Sequence, residues 1–202
     1  MKIRILAAAM VLVAAPLSAQ QRPQLTPEQR AAREAARREA MNEPRPIEAL
    51  ESLWIEELTW MELRDAIRAG STTAIVLTGG VESNGPHLAS GKHNYSNRLM
   101  GPSVAAALGN TLIAPLVTLE PGRPGRDVMP GHTGPMVSME TYIAWLTDIG
   151  DSLRSMGFTE VYYLGDSGGT QRGQQAAADA RDERQDILIL ARTDARHGHG
   201  LA

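Results

Sequence analysis

The chain has 202 residues, no cysteine, one phenylalanine and a formal net charge of −3 at pH 7. The lack of cysteine excludes disulfides and thiolate catalysis, and a slightly acidic balance without a basic cluster argues against nucleic-acid binding. The length suits about one globular domain, and its core must come from Leu, Ile, Val, Ala and Met.

Residues 1–19 have the pattern of a secretory signal peptide. A basic start at Lys2 and Arg4 precedes an apolar run over residues 5–17, and small residues that suit a cleavage site follow. The alternative is an uncleaved anchor, but the apolar run is short for a membrane span. We therefore expect a periplasmic or secreted protein with no stable membrane insertion.

Residues 20–46 are predicted to form a polar helical tether. Thr26 suits an N-cap, Pro27 the first helical position, and Gln29 the third position of a capping box. The helix that follows has only a thin apolar stripe. A solvated helix or tether fits this pattern, and a helix that binds a partner protein is the alternative.

From residue 47 onwards, strands alternate with helices. This order predicts an α/β fold with three layers, in which helices cover both faces of a mostly parallel sheet. The chain ends soon after its last predicted strand, so we expect the domain at residues 47–202 to lack C-terminal elements. The predicted helices are 60–69, 95–108, 139–156 and 171–180, and the predicted strands are 73–77, 111–116, 160–164 and 186–190.

Polar side chains follow the first of these strands. Glu82, His87 and His93 lie in a Gly- and Pro-rich stretch directly after it. Ligands bind beyond the carboxyl ends of parallel strands, and carboxylate with imidazole is a donor set for Zn or Mn. Solvent-facing histidines are the alternative interpretation.

A second loop, Gly-Asp-Ser-Gly-Gly at residues 165–169, follows the third strand. The same letters form the nucleophile segment of trypsin-like serine proteases, but those proteins are all-β and use an upstream His and Asp. A nucleophile elbow at Ser167 is a weaker alternative, because the Gly-x-Ser-x-Gly spacing is missing. A plain strand-to-helix turn would also need the glycines.

A long loop over residues 120–135 joins the second strand to the next helix. Loops of this length are often functional. Arg123, Arg126 and Asp127 could bind a substrate carboxylate, or simply face solvent, and His132 could act as an acid.

Residues 82–88, Glu-Ser-Asn-Gly-Pro-His-Leu, resemble the Glu-Gln-His-Gly-Pro-His-Leu segment of the creatininase family. The resemblance runs from about residue 56 to 178. It implies a three-layer α/β fold, frequent homo-oligomers, divalent Zn or Mn, and hydrolysis of C–N bonds in small amides. Further similar segments are Leu58-Thr59-Trp60, Gly79-Gly80, Ala114-Pro115, Gly157-Phe158 and Gly168-Gly169.

The resemblance also implies altered metal ligands. Glu82 matches a family ligand, whereas Asn84 stands for a His, His93 for a bridging Asp, Ser167 for a His, and Gly169 for a carboxylate of some members. The chain thus looks like a divergent branch. We expect one ion rather than two, with no ion as a further alternative, and the expected ligands are Glu82, His93 and Asp166.

Together with the signal peptide, the resemblance implies an exported metal-dependent amidohydrolase acting on a small-molecule amide, with a homo-oligomer as a further expectation. The alternative is a non-catalytic binding protein or pseudoenzyme with the same fold. Asp166, Ser167 and His132 are the predicted catalytic residues, with Asp166 as ligand or general base. The predicted substrate-binding residues are Asn84, His87, Asn94, Gly168 and Gly169.

Overall fold

The computed structural model describes residues 25–125, 134–165, 167–182 and 188–191. It divides into two compact units, residues 1–44 and 45–202. The first contains helix α1 (Pro27–Ala40), which buries none of its side chains. Thr26 and Gln29 form the complete capping box, which confirms the predicted start of this helix.

The second unit alternates helices and strands, as the sequence predicts. Its regular elements are a 3₁₀ helix (Ile55–Glu57), α2 (Trp60–Arg68), β1 (Thr73–Thr78), α3 (Lys92–Leu108), β2 (Thr111–Ile113), α4 (Met139–Met156), β3 (Glu160–Gly165), α5 (Gln171–Asp182) and β4 (Leu188–Ala191). No helix among the described residues is long and apolar enough to cross a membrane.

The four described strands form one parallel sheet in the order β2-β1-β3-β4. The central strands β1 and β3 run in register from the pair Thr73 and Glu160 to the pair Thr78 and Gly165. Because both strands end at the same level, the loops that follow them begin side by side. This register positions the site described below.

The side chains of β1 alternate between two cores. Ala74 and Val76 belong to the cluster that α2, α4 and α5 cover, whereas Ile75 and Leu77 belong to the cluster under α3. All four are at most 3% exposed, as is usual for a central strand of a parallel sheet. Helices on both faces confirm the predicted three-layer α/β fold.

Helix α3 starts earlier than the sequence predicts, at Lys92 instead of about Tyr95. Its N-cap is Gly91, which makes no side-chain cap bond, so the sequence carries no capping signal there. The consequence is that His93 and Asn94, expected on a loop, lie in the first helical turn.

Strand β2 is shorter than predicted and ends at Ile113. Pro115 has no backbone N–H and cannot continue the ladder. The chain nevertheless stays beside β1, since Val117 pairs with Thr78. Strand β4 is Leu188–Ala191, and the predicted start of this strand at residue 186 lies outside the described residues.

Candidate functional site

A carboxylate in the loop after β1 directly contacts an imidazole in the first turn of α3. Oε1 of Glu82 lies 2.7 Å from Nε2 of His93. His93 is buried at 6% exposure, and Glu82 is partly exposed. The loop is closed by a hydrogen bond from the Glu82 N–H to the Ser90 carbonyl at 2.9 Å. Burial in α3 fixes the His93 ring. The Glu82 carboxylate is partly exposed, so the pair is reached from solvent through Glu82.

Lys92 is a site residue that the sequence reasoning missed. Its Nζ hydrogen-bonds the side-chain oxygen of Asn84 and lies 3.8 Å from Oε1 of Glu82. Asn84 in turn donates to the Glu82 carbonyl at 3.2 Å. The position of Lys92 directly before His93 in the sequence was the available signal. Lys92 therefore places a positive charge next to the Glu82 carboxylate.

Asn94 ties two loops together. Its side-chain oxygen accepts from the Gly80 N–H at 3.1 Å, and its amide donates to the Thr118 carbonyl at 3.2 Å. A Cβ at Gly79 would overlap the Asn94 side chain, so glycine is required there. Both ends of this predicted substrate-binding amide are therefore engaged with backbone.

The loop after β3 meets a second carboxylate, Glu120, which the sequence analysis noted only as the start of a long loop. The Ser167 hydroxyl donates to Oε2 of Glu120 at 2.9 Å. Both side chains are buried, at 6% and 8% exposure. Glu120 is anchored because its carbonyl accepts from the Val137 N–H at 3.2 Å, where the two ends of the long loop pair.

A buried polar network supports the turn that contains Ser167. The Thr170 hydroxyl donates to the Ser167 carbonyl at 2.7 Å, and the Gln174 amide donates to the Thr78 hydroxyl at 2.6 Å. Burial raises the pKa of the neighbouring Tyr142 to about 12, so this phenol stays protonated. The network fixes the Ser167 hydroxyl relative to the end of β1.

The described donors fit only part of a metal site. Within the described ranges, no group of three or more His, Cys, Asp or Glu residues could hold a metal ion. Glu82 and His93 supply two donors, whereas catalytic zinc sites take three protein ligands. The predicted third ligand, Asp166, and the predicted acid His132 lie outside the described residues, as do Arg126 and Asp127.

The remaining predicted site residues are solvent-facing. His87, Gly168 and Gly169 are exposed, and so is Arg123 in the long loop. A depression of about 380 Å³ lies along the loop after β1. It is lined by Val81, Ser83, Gly85, Leu88, Ser90, Gly134 and Pro135.

This arrangement, a parallel sheet whose polar side chains gather beyond the carboxyl ends of adjacent strands, defines an α/β protein with polar groups at the edge where such sheets bind ligands. The family model for creatininase, described as creatinine amidohydrolase, matches residues 56–199. The chain belongs to the creatininase family.

Solved creatininase structures share this fold. A creatinine amidohydrolase structure superposes with a TM-score of 0.62 at 20% identity, over 71% of this chain and 58% of that chain. A structure described as creatininase Mn gives 0.62 at 20% identity, over 70% and 58%. A mutant creatininase of Zn-Zn type gives 0.61 at 20% identity, over 71% and 58%.

The chain therefore spans 58% of the length of these solved relatives, and at this identity they show the fold alone. No curated protein matches the chain in sequence.

Proposed function

We propose that this chain is a divalent-metal-dependent amidohydrolase that uses water to cleave a C–N bond in a small amide. The observation that carries this proposal is the contact of Glu82 with His93 at the ligand-binding edge of a creatininase-family sheet. The solved neighbours include manganese and zinc forms, so Zn or Mn is the metal we assign here.

Glu82, His93 and Asp166 are the proposed ligands of one ion. When bound, the metal would lower the pKa of a coordinated water and polarise the amide carbonyl. Asp166 directly precedes Ser167 in the sequence. Burial of His93 holds its ring in one orientation, which reduces the entropy lost on binding.

The other roles concern proton transfer and substrate. Ser167 orients water or substrate through its hydroxyl oxygen, and His132 gives a proton to the leaving nitrogen. If Asp166 is not a ligand, it is the general base. The substrate is held by Asn84, His87, Gly168 and Gly169 of the two loops and by Asn94 in the first turn of α3.

A second function, non-catalytic ligand binding, is favoured by a different observation. The Nζ atom of Lys92 lies 3.8 Å from Oε1 of Glu82. A carboxylate that is compensated by the ammonium group of Lys92 has less need of a metal ion for electrostatic balance. In this alternative the loops bind a small molecule without hydrolysing it.

Metal content separates the two functions. The purified protein would be loaded with Zn or Mn, dialysed and analysed for metal, together with Glu82→Ala and His93→Ala. The amide proposal expects about one ion per chain in the wild type and loss of that ion in both variants. His87→Ala, an exposed histidine of the same loop, is the matched control and should keep the ion.

A folded wild type without metal, or ion binding unaffected by both ligand variants, would rule out this site. If metal is bound, amide hydrolysis is measured next. Hydrolysis lost in Ser167→Ala but kept after metal removal would instead indicate a serine nucleophile. Export from the cytoplasm, supported by residues 1–19, and homo-oligomer formation, implied by the family resemblance, are also proposals.

A further inference from the structure

Glu120 is a buried carboxylate without a cationic partner in the described part of the chain. Its side chain is 8% exposed, and its only side-chain hydrogen bond there is the one from the Ser167 hydroxyl. A buried ionised carboxylate is costly unless a cation or several donors compensate it. A carboxylate has about four acceptor positions, so one hydroxyl leaves most of this capacity unused.

The Ser167 hydroxyl adds no free hydrogen-bond donor to the pair that it forms with Glu120. A serine hydroxyl has one proton, and here that proton is directed to Oε2 of Glu120. The remaining lone pairs of the hydroxyl oxygen can only accept. Together the two side chains present oxygen acceptors and no free donor.

The two oxygens face a space beside Gly169. A Cβ built on Gly169 would lie 3.7 Å from Oε2 of Glu120 and 3.8 Å from Oγ of Ser167. Apart from the residues adjoining Gly169 in sequence, no other described atom lies within 4 Å of that point. Gly168 and Gly169 are exposed, so a small group can reach this space from solvent.

We infer that the space beside Gly169, faced by Glu120 and Ser167, binds a cationic nitrogen that carries N–H donors, such as a small ammonium group. Donors would satisfy the two oxygens, and the positive charge would compensate the buried carboxylate. This inference rests on the proposed function only for the substrate class. If the protein hydrolyses a small amide, that amide carries a protonated amine near the scissile bond.

The other interpretation is that Glu120 and Ser167 only join two loops. The two interpretations differ in what a substitution at Gly169 does. A methyl group there makes ordinary contacts at 3.7 and 3.8 Å, so the fold tolerates it, but it fills the space that a ligand needs.

The test is a titration of the ¹⁵N-labelled full chain with methylammonium chloride, followed through the amide signals of Gly168 and Gly169. We expect saturable shifts for methylammonium and none for tetramethylammonium, which has the same charge but no N–H, or for sodium chloride at equal concentration. Glu120→Gln should weaken binding about tenfold or more, because it removes a charge-assisted hydrogen bond.

Gly169→Ala should abolish the shifts, because its added methyl group fills the space faced by Glu120 and Ser167. Equal binding by wild type, Glu120→Gln and Gly169→Ala would overturn the inference, as would a wild type that does not respond. If Glu120→Gln fails to fold, Gly169→Ala alone decides.

Glu82→Ala distinguishes this site from the proposed metal site. It should lose the metal and keep methylammonium binding. Failure of amide hydrolysis with intact methylammonium binding would reject the proposed function and leave this site standing. The reverse result would reject this site alone.

Discussion

At the residue scale, ionisable side chains differ in what surrounds their charge. Glu120 meets a single hydroxyl, whereas the Glu62 carboxylate at the start of α2 accepts from two backbone N–H groups. These are the N–H of Leu50 at 2.5 Å and of Thr59 at 2.7 Å. The Leu50 bond is the largest cause that lowers the Glu62 pKa from 4.5 to about 2, followed by the Thr59 bonds.

This lowered pKa predicts acid sensitivity. The folded pKa lies below the unfolded one, so ionised Glu62 stabilises the protein above about pH 4.5, and this contribution is lost as the pH falls toward 2. Glu62→Gln should therefore lower the melting temperature at pH 7, and its difference from wild type should shrink at pH 3.

Circular dichroism melts at pH 7, 5 and 3 measure this dependence. Glu51→Gln, a change at an exposed position before the same helix, is the control and should shift the melting temperature little at any of these pH values. A pH-independent difference between wild type and Glu62→Gln would contradict the electrostatic explanation.

At the element scale, α4 and α5 approach closely where Gly173 lies against the Tyr142 ring. A Cβ on Gly173 would overlap this ring, and Tyr142 is fully buried and cannot move aside. Glycine is therefore required for the packing of the two helices, although glycine is a poor helix former.

Gly173→Ala tests this packing. Alanine would gain up to about 1 kcal/mol in helix propensity, but overpacking a buried contact costs about 1–3 kcal/mol. We expect a net loss in the free energy of unfolding, measured by urea denaturation. Gly168→Ala, which meets open space, should change it little, and a Gly173→Ala protein as stable as wild type would show that the helices can separate without cost.

At the scale of the whole molecule, sheet register determines which loops meet. The loops after β1 and β3 are adjacent because these strands pair from Thr73 with Glu160 to Thr78 with Gly165. The loop after β2 joins them through the bond of Asn94 to the Thr118 carbonyl. The site is thus assembled from three segments that are distant in sequence.

Export is a prediction about the whole chain. Expressed in a bacterium with residues 1–19 retained, the protein should be recovered from the periplasm or medium and should begin at about Gln20, since residues 5–17 have the pattern of the apolar segment of a signal peptide. Cell fractionation with N-terminal mass spectrometry measures both. Leu12→Arg should keep the precursor uncleaved in the cytoplasm, and an uncleaved wild type in the cytoplasm would contradict the prediction.

The sequence by itself determined the order of the elements and the starts of three helices in the described part of the chain. The capping boxes at Thr26 and Thr59 and the N-cap Ser138 predict where α1, α2 and α4 begin, because each cap bonds a backbone N–H within three residues. The order of strands and helices predicts the three-layer fold, since parallel strands need helical crossovers.

Only the tertiary structure decided the rest. The early start of α3 has no local signal, because Gly91 caps it without a side chain. Glu120 and Ser167 are 47 positions apart, and their contact depends on strand order and on the pairing at the base of the long loop. Such contacts are set by the register of β1, β2 and β3, and therefore by packing in the two cores and not by any short stretch of residues.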